Sequence, residues 1–161
     1  MLKINGWTLY AHPLFLDQLD RLIKAVEGEK QKDPDTYRGG NNAKLLASIN
    51  EIAFRRIPAD PTDKRYRQGS TLGDDYRHWF RDKFGNGRFR LFFRYDSQAK
   101  LIVYAWVNDD DSKRIYGSKN DAYAVFKKML DGGNPPDNWD KLLSQCSADR
   151  LAEVSSKAAD L

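Results

Sequence analysis

The feature that most constrains this chain is a block of strand chemistry punctuated by two tight turns. Over Arg88–Tyr95, Phe89, Leu91 and Phe93 alternate with Arg88, Arg90, Phe92 and Arg94, the period-two pattern of a strand with one apolar face. Gly85-Asn86-Gly87 ahead of it is a hairpin turn signal, and Trp79–Phe84 reads as a short strand on the other side of that turn. Asp96-Ser97-Gln98-Ala99 marks a second turn. The run Leu101–Val107 is then almost wholly apolar, as expected of a central strand covered on both faces. Three such segments predict an antiparallel meander.

The flanking sequence supplies helices. Asn5–His12 alternates like a half-buried strand, and Pro13 suits the first turn of a helix whose stripe is Leu16, Leu19, Leu22, Ile23 and Val26. After Asp33-Pro34 and Gly39-Gly40, Asn41 or Asn42 is placed to cap a second helix carrying Leu45, Leu46, Ile49, Ile52, Ala53 and Phe54, stopped by Pro58 and Pro61. The stretch 59–75 has no period and reads as a long surface loop. Asn120 or Asp121 caps a further helix using Tyr123, Val125, Phe126, Met129 and Leu130, and a short helix begins at Trp139. The order predicts an α+β fold: a small, mainly antiparallel sheet packed by two N-terminal helices, with a C-terminal helix. We expect one domain over 1–144 and a polar, frayed tail over 145–161.

Composition narrows the chemistry. The 161 residues suit one buried core, and no apolar run approaches the ~20 residues that span a bilayer. The segment before Trp7 is too short and polar for a signal peptide, so a cytoplasmic location is expected. A single cysteine, Cys146, excludes an internal disulfide and a cysteine-rich zinc site, and reads as a passive thiol. Only His12 and His78 are available as histidines, which argues against a zinc centre or a two-histidine ribonuclease; no metal or cofactor is expected. His12, before Pro13, reads as a local hydrogen-bonding residue, and His78 is kept as an outside candidate. Net charge is +4, but its distribution says more: between Arg77 and Lys119 stand ten basic residues against five acidic ones.

That basic stretch is also the strand-rich one. Arg88, Arg90 and Arg94 share one predicted strand face, and a rigid sheet presenting several guanidiniums makes a preorganised oxyanion clamp. Lys83 precedes the strand, and Arg114, Tyr116 and Lys119 follow the neighbouring one. Such a set suits RNA cleavage, in which the 2′-hydroxyl attacks the adjacent phosphate. Arginines stabilise the phosphorane, while Lys83, Lys119 or Tyr116 move protons. Trp106, Tyr116 and Tyr76 are candidates for stacking on a base. The bland alternatives stand beside these: an arginine-bearing strand face is commonly a solvated surface, Trp106 in an apolar strand is commonly core, and Asp109-Asp110-Asp111 is a turn rather than a cation site.

The chain also resembles the YhaV-type toxins of the RelE-like superfamily. The likeness is carried by Asn5-Gly6-Trp7-x-Leu9-Tyr10-Ala11-His12-Pro13, by Lys83-Phe84-Gly85-x-Gly87-Arg88-Phe89-Arg90-Leu91-Phe92-Phe93-Arg94-Tyr95, and by Trp106-Val107-Asn108-Asp109. It continues through Arg114-x-Tyr116-Gly117, Asp121-Ala122-Tyr123 and Gly133-x-Pro135-Pro136-x-x-Trp139. The resemblance implies a RelE-like fold and an endoribonuclease toxin that cuts mRNA and blocks translation. It implies a PrlF-type antitoxin partner with an AbrB-like DNA-binding portion, the complex repressing its own operon at operator DNA. It implies catalytic roles for Lys83, Arg88, Arg94, Arg114 and Tyr116, with Arg81, Arg90, Asn108, Asp109 and Lys119 as RNA contacts. Relatives of RelE type lack the 59–75 loop, so the ribosome does not follow as a partner from the resemblance. The rival readings are a non-catalytic nucleic-acid-binding module using the same arginines and a purely structural interaction protein.

Overall fold

Strand β5, Leu101–Val107, is buried along almost its whole length, and the remaining elements are arranged around it. In the computed structural model, which describes residues 1–112 and 121–161, it pairs antiparallel with β4, Phe89–Asp96, and β4 pairs antiparallel with β3, Phe80–Phe84. On its other side β5 pairs with β2, Trp7–Ala11, which pairs in turn with β1, Lys3–Ile4, so the sheet order is β1-β2-β5-β4-β3. The expected meander β3-β4-β5 is present. The β2–β5 pair, however, is parallel, with Leu9 opposite Ile102 and Tyr10 opposite Val103. Two helices intervene between β2 and the meander, which is enough chain to return a strand in the same direction.

One face of the sheet is covered by α1, Pro13–Lys32, and α2, Asn41–Glu51, with Phe15, Leu16, Leu19, Leu46 and Ile49 packing on Leu9, Leu91, Phe93 and Tyr104. The other face carries Phe92, Val103, Ala105 and Trp106 against α3, Ala122–Asp131, and α4, Trp139–Gln145. The β4–β5 register slips at Phe92/Phe93, where Phe92 faces Trp106 and Phe93 faces Tyr104. Ala105 is therefore the extra residue of a bulge, and it lets Ala105 and Trp106 both join the α3 side. Trp106 is core, with its ring 5.7 Å from Phe126 and nearly parallel to it.

Three sequence expectations are corrected. Segment 59–75 is not a surface loop: Tyr66 and Leu72 are fully buried, Gln68 nearly so, and Tyr66 packs edge-on against Phe93. Gln68 holds the segment together by donating to Tyr76 O and accepting from Leu72 N and Thr71 Oγ1. The C-terminal stretch is not frayed: Ala148–Ala159 forms α5, whose Leu151, Val154 and Ala158 enter the core beside α1 and β2. Neither Asn41 nor Asn42 caps α2; Gly40 takes that position, and Asn42 Nδ2 donates to Glu29 Oε1. Asp121 does cap α3, accepting from Tyr123 N at 3.0 Å.

Polar groups inside the fold have identifiable partners. After α2 the helix widens into a π turn, Ile52–Arg56, closed by Ile57 N donating to Ile52 O. The next donor in that widened pattern would be residue 58, a proline without an N–H, so Ala53 O is left free and the Tyr104 hydroxyl donates to it. Gln18, on α1, clamps the end of β5, donating to Val107 O at 2.6 Å and accepting from Val107 N at 3.1 Å. Asp82, buried on β3, accepts from Arg56 Nε at 2.8 Å. Burial raises its pKa, with Arg56 opposing. Removing only the cation strands that carboxylate: Arg56→Met should cost about 3 kcal/mol, and adding Asp82→Leu should recover most of it, measured by denaturant unfolding.

His12 caps α1, with Nδ1 accepting from Leu14 N at 3.2 Å, so the Nε2 proton points to Gln145 Oε1 at 2.8 Å. Burial lowers its pKa below the ordinary 6.5, despite the opposing Gln145 hydrogen bond. The neutral ring is thus the folded form. Its contribution is complete above about pH 6.5 and is lost as pH falls through the lower folded pKa. Unfolding free energy should drop more steeply below about pH 6 in the native chain than in His12→Asn, which keeps a cap acceptor without the titration.

Candidate active site

Strand alternation and the β3–β4 register set the geometry. Arg81 stands opposite Phe92, and Lys83 stands opposite Arg90, so these side chains start from the face that α3 covers. Arg81 bridges two elements: its Nε donates to the Tyr123 hydroxyl at 2.8 Å, and Nη1 donates to Arg65 O at 2.8 Å. Arg90 lies with its guanidinium 5.3 Å from the centre of the Tyr123 ring and is tied by Nη1 to Gly87 O at 2.8 Å. Its Nε is buried without a hydrogen-bond partner among the described residues. Lys83 is exposed on the edge strand beside this pair.

Charge pairing distinguishes this group from six of the other arginines. Arg55, Arg56, Arg65, Arg77, Arg88 and Arg150 each stand within salt-bridge distance of a carboxylate. Among the described residues, Arg81, Lys83 and Arg90 form no such pair. The two arginines act on Tyr123. Burial alone would raise that phenol, but hydrogen bonding and charge from Arg81 and Arg90 outweigh it and hold the pKa below the usual 10. Tyr123 is reached from the first turn of α3, because the Asp121 cap starts the helix there.

The three arginines predicted on one face do not converge. Arg88 precedes β4, in the turn where Gly85, Asn86 and Gly87 all have positive φ. Its guanidinium leans over the Phe89 ring at 5.1 Å, and Nη2 lies 3.5 Å from Asp110. Arg94 lies between the rings of Trp79 and Trp139, at 5.4 and 5.1 Å, and donates to Asp137 O at 2.5 Å. Arg90 alone of the three reaches Tyr123. Alternation fixed the starting direction of each side chain, but the aromatic groups covering the sheet decided where each long side chain ended.

Asn108 and Asp109 are engaged with backbone. Asn108 is buried, accepting from Arg90 N at 2.6 Å and donating to Arg88 O at 3.2 Å, so it fixes the start of β4. Asp109 Oδ1 accepts from both Ser112 N and Ser112 Oγ at 2.8 Å. Tyr76 donates to Asp131, which pushes its pKa up to about 12. His78 shares Asp137 Oδ1 with Trp79 Nε1, at 2.6 and 2.9 Å. Burial pushes the Cys146 thiol up to about 12, in keeping with a passive role. The candidates Arg114, Tyr116 and Lys119 lie outside the described residues. Tyr123 was missed as a site residue because it fits the apolar stripe of α3. Its hydroxyl, which a buried tyrosine must satisfy, was the available signal.

Comparison with known proteins agrees with these features. Residues 9–147 match the Toxin_YhaV family, described as a toxin with endonuclease activity, of a toxin–antitoxin system. The chain is 45% identical over 141 residues to the ribonuclease toxin YhaV of Escherichia coli K12, covering 87% of this chain and 92% of that protein. It is 44% identical over 144 residues to toxin YhaV of Escherichia coli O6:H1, covering 89% and 94%. No solved structure matches the chain. The family match takes in β3, β4, β5 and most of β2, and the chain belongs to the YhaV family of toxins with endonuclease activity.

Proposed function

We propose that this chain is an endoribonuclease toxin that cuts mRNA at the β3–β4 face, without a metal, and so inhibits translation and growth. One observation carries the reading: Arg81 and Arg90 are held in place with no carboxylate in salt-bridge contact among the described residues, and the exposed Lys83 stands opposite Arg90 on the same strand pair. A phosphodiester supplies the missing anion, and RNA supplies its own nucleophile in the 2′-hydroxyl. Attack forms the O2′–P bond and breaks the P–O5′ bond, leaving a 2′,3′-cyclic phosphate and a 5′-hydroxyl. Guanidiniums already held in place stabilise the dianionic phosphorane without reorganising. Lys83, exposed beside Arg90, supplies the proton to the leaving 5′-oxygen. Arg88 makes an outer phosphate contact, and Arg94 braces the wall through its two tryptophans. Arg114 and Tyr116 remain candidates for the same centre and Lys119 for RNA contact, on the family resemblance.

Membership of a toxin–antitoxin system gives the chain an antitoxin as partner. The finer expectation is a PrlF-type antitoxin with an AbrB-like portion, which silences the toxin and carries the complex to its operator. No helix among the described residues is long and apolar enough to cross a membrane.

The test is the fate of a defined mRNA incubated with the purified protein, with ribosomes in Mg²⁺ buffer and, separately, without ribosomes in the presence of EDTA. Fragments with cyclic or 3′-phosphate ends are expected. Arg90→Ala should lower the cleavage rate by about 10²–10³-fold. Arg88→Ala should weaken RNA binding and flatten its salt dependence by about one phosphate contact, leaving the turnover rate in place. RNA bound but intact under every condition would instead establish a non-catalytic binding module.

A further inference from the structure

We propose that Tyr123 is the proton-transfer residue of this site: held between Arg81 and Arg90, its phenolate removes the proton from the attacking 2′-hydroxyl. The inference rests on the reading that this face cuts RNA, and it assigns a base that the family resemblance leaves among several residues.

The hydrogen-bonding of the tyrosines singles this one out. Tyr37, Tyr66, Tyr76 and Tyr104 each donate their hydroxyl proton to an oxygen of the protein. Those contacts favour the protonated phenol, and burial or a nearby carboxylate raises Tyr66, Tyr76 and Tyr104 further from ionisation. Tyr123 is wired in the opposite sense. Its oxygen accepts from Arg81 Nε at 2.8 Å, and a second guanidinium lies over its ring. A phenol whose oxygen accepts from a cation is stabilised as the anion, and its own proton meets no acceptor among the described residues. The resulting shift is downward even though burial opposes it. Tyr123 is buried less completely than Tyr104, with 9% of its surface exposed against none.

Position adds to this. Tyr123 lies in the first turn of a ten-residue helix, where the aligned peptide dipoles also favour negative charge. Arg81 is opposite Phe92, and Lys83 is opposite Arg90, so the phosphate clamp and the ammonium that protonates the leaving group share one hairpin face, which Tyr123 meets from α3. The proton balance closes. The 2′-hydroxyl proton passes to the Tyr123 oxygen, the O2′–P bond forms, the P–O5′ bond breaks, and a Lys83 proton goes to O5′. Exchange with water then restores both groups.

The test uses the full chain and the defined mRNA, under whichever condition, with or without ribosomes, supports cutting. Tyr123→Phe should lower the turnover rate at saturating RNA by about 10²–10⁴-fold, with KM and melting temperature nearly unchanged. Replacing Tyr123 by 3-fluorotyrosine keeps the hydroxyl while making it more acidic, and should move the acidic limb of the pH–rate profile to lower pH. That second measurement decides the matter if Tyr123→Phe fails to fold. The assignment is overturned if Tyr123→Phe cuts at the native rate, or if the fluorinated protein keeps the native pH profile. RNA left intact by the native chain in every condition removes the nuclease reading itself, and the assignment with it. Native cutting with an indifferent Tyr123 removes only the assignment.

Discussion

The double burial of β5 is the constraint on which the rest of the structure depends. Ile102 and Tyr104 face the core under α1 and α2, while Val103, Ala105 and Trp106 face α3. Strict alternation could not give the last residues this distribution. The bulge at Ala105 places two consecutive residues on the α3 side and so sets Trp106 beneath Phe126. That stacking seats α3 over β4, with the Phe92 ring 4.3 Å from that of Phe126 and stacked on it. With the helix seated there, its first turn brings Tyr123 within hydrogen-bonding distance of Arg81. The geometry of the site is thus inherited from an irregularity in a neighbouring strand. It does not arise from flexible groups meeting by chance, and this supplies the rigidity that the proposed transition-state stabilisation requires.

Much of the scaffold was legible because its periods are strong. The turn signals at 85–87 and 96–99, the alternation in Phe89–Tyr95 and the α1 stripe all correspond to observed elements. What was not legible involved interactions distant in sequence or without a period. The parallel β2–β5 pair joins residues about 90 positions apart, and no local pattern encodes that choice. Tyr66, Gln68 and Leu72 bury themselves in a segment of short turns, where burial follows no repeat. The α5 stripe of Leu151, Val154 and Ala158 does follow helical spacing. It was read as tail because small and polar residues dilute it.

The strand faces of the candidate residues were legible, and the final positions of their side chains were not. Alternation correctly put Arg90 and Arg94 on the face opposite Phe89, Leu91 and Phe93. It could not say that Arg94 would be enclosed by two tryptophans, or that Arg88 would turn over Phe89 towards Asp110. A guanidinium sits at the end of a long flexible stem, and its final position depends on apolar surfaces that the stem can lie against. Those surfaces come from residues 79, 89, 123 and 139, which belong to four different segments. Residue type and alternation therefore set where the cations start, and tertiary packing set which aromatic rings and acceptors each one meets.

That selection has an energetic meaning. Leaving Arg90 Nε buried without a partner among the described residues costs about 1–3 kcal/mol, and holding Arg81 near a second guanidinium adds repulsion. Either cost could be removed by one well-placed carboxylate, which the chain uses readily elsewhere, as at Arg56 and Arg77. An acid on this face would also compete with a phosphate for the same donors and would raise the Tyr123 phenol. The fold instead meets part of the demand with neutral acceptors, the carbonyls of Arg65 and Gly87. Carbonyls orient a guanidinium without cancelling its charge. The arrangement keeps the cations in place and electrostatically unsatisfied, so an anion reaching this face gains interactions that the empty site has already organised.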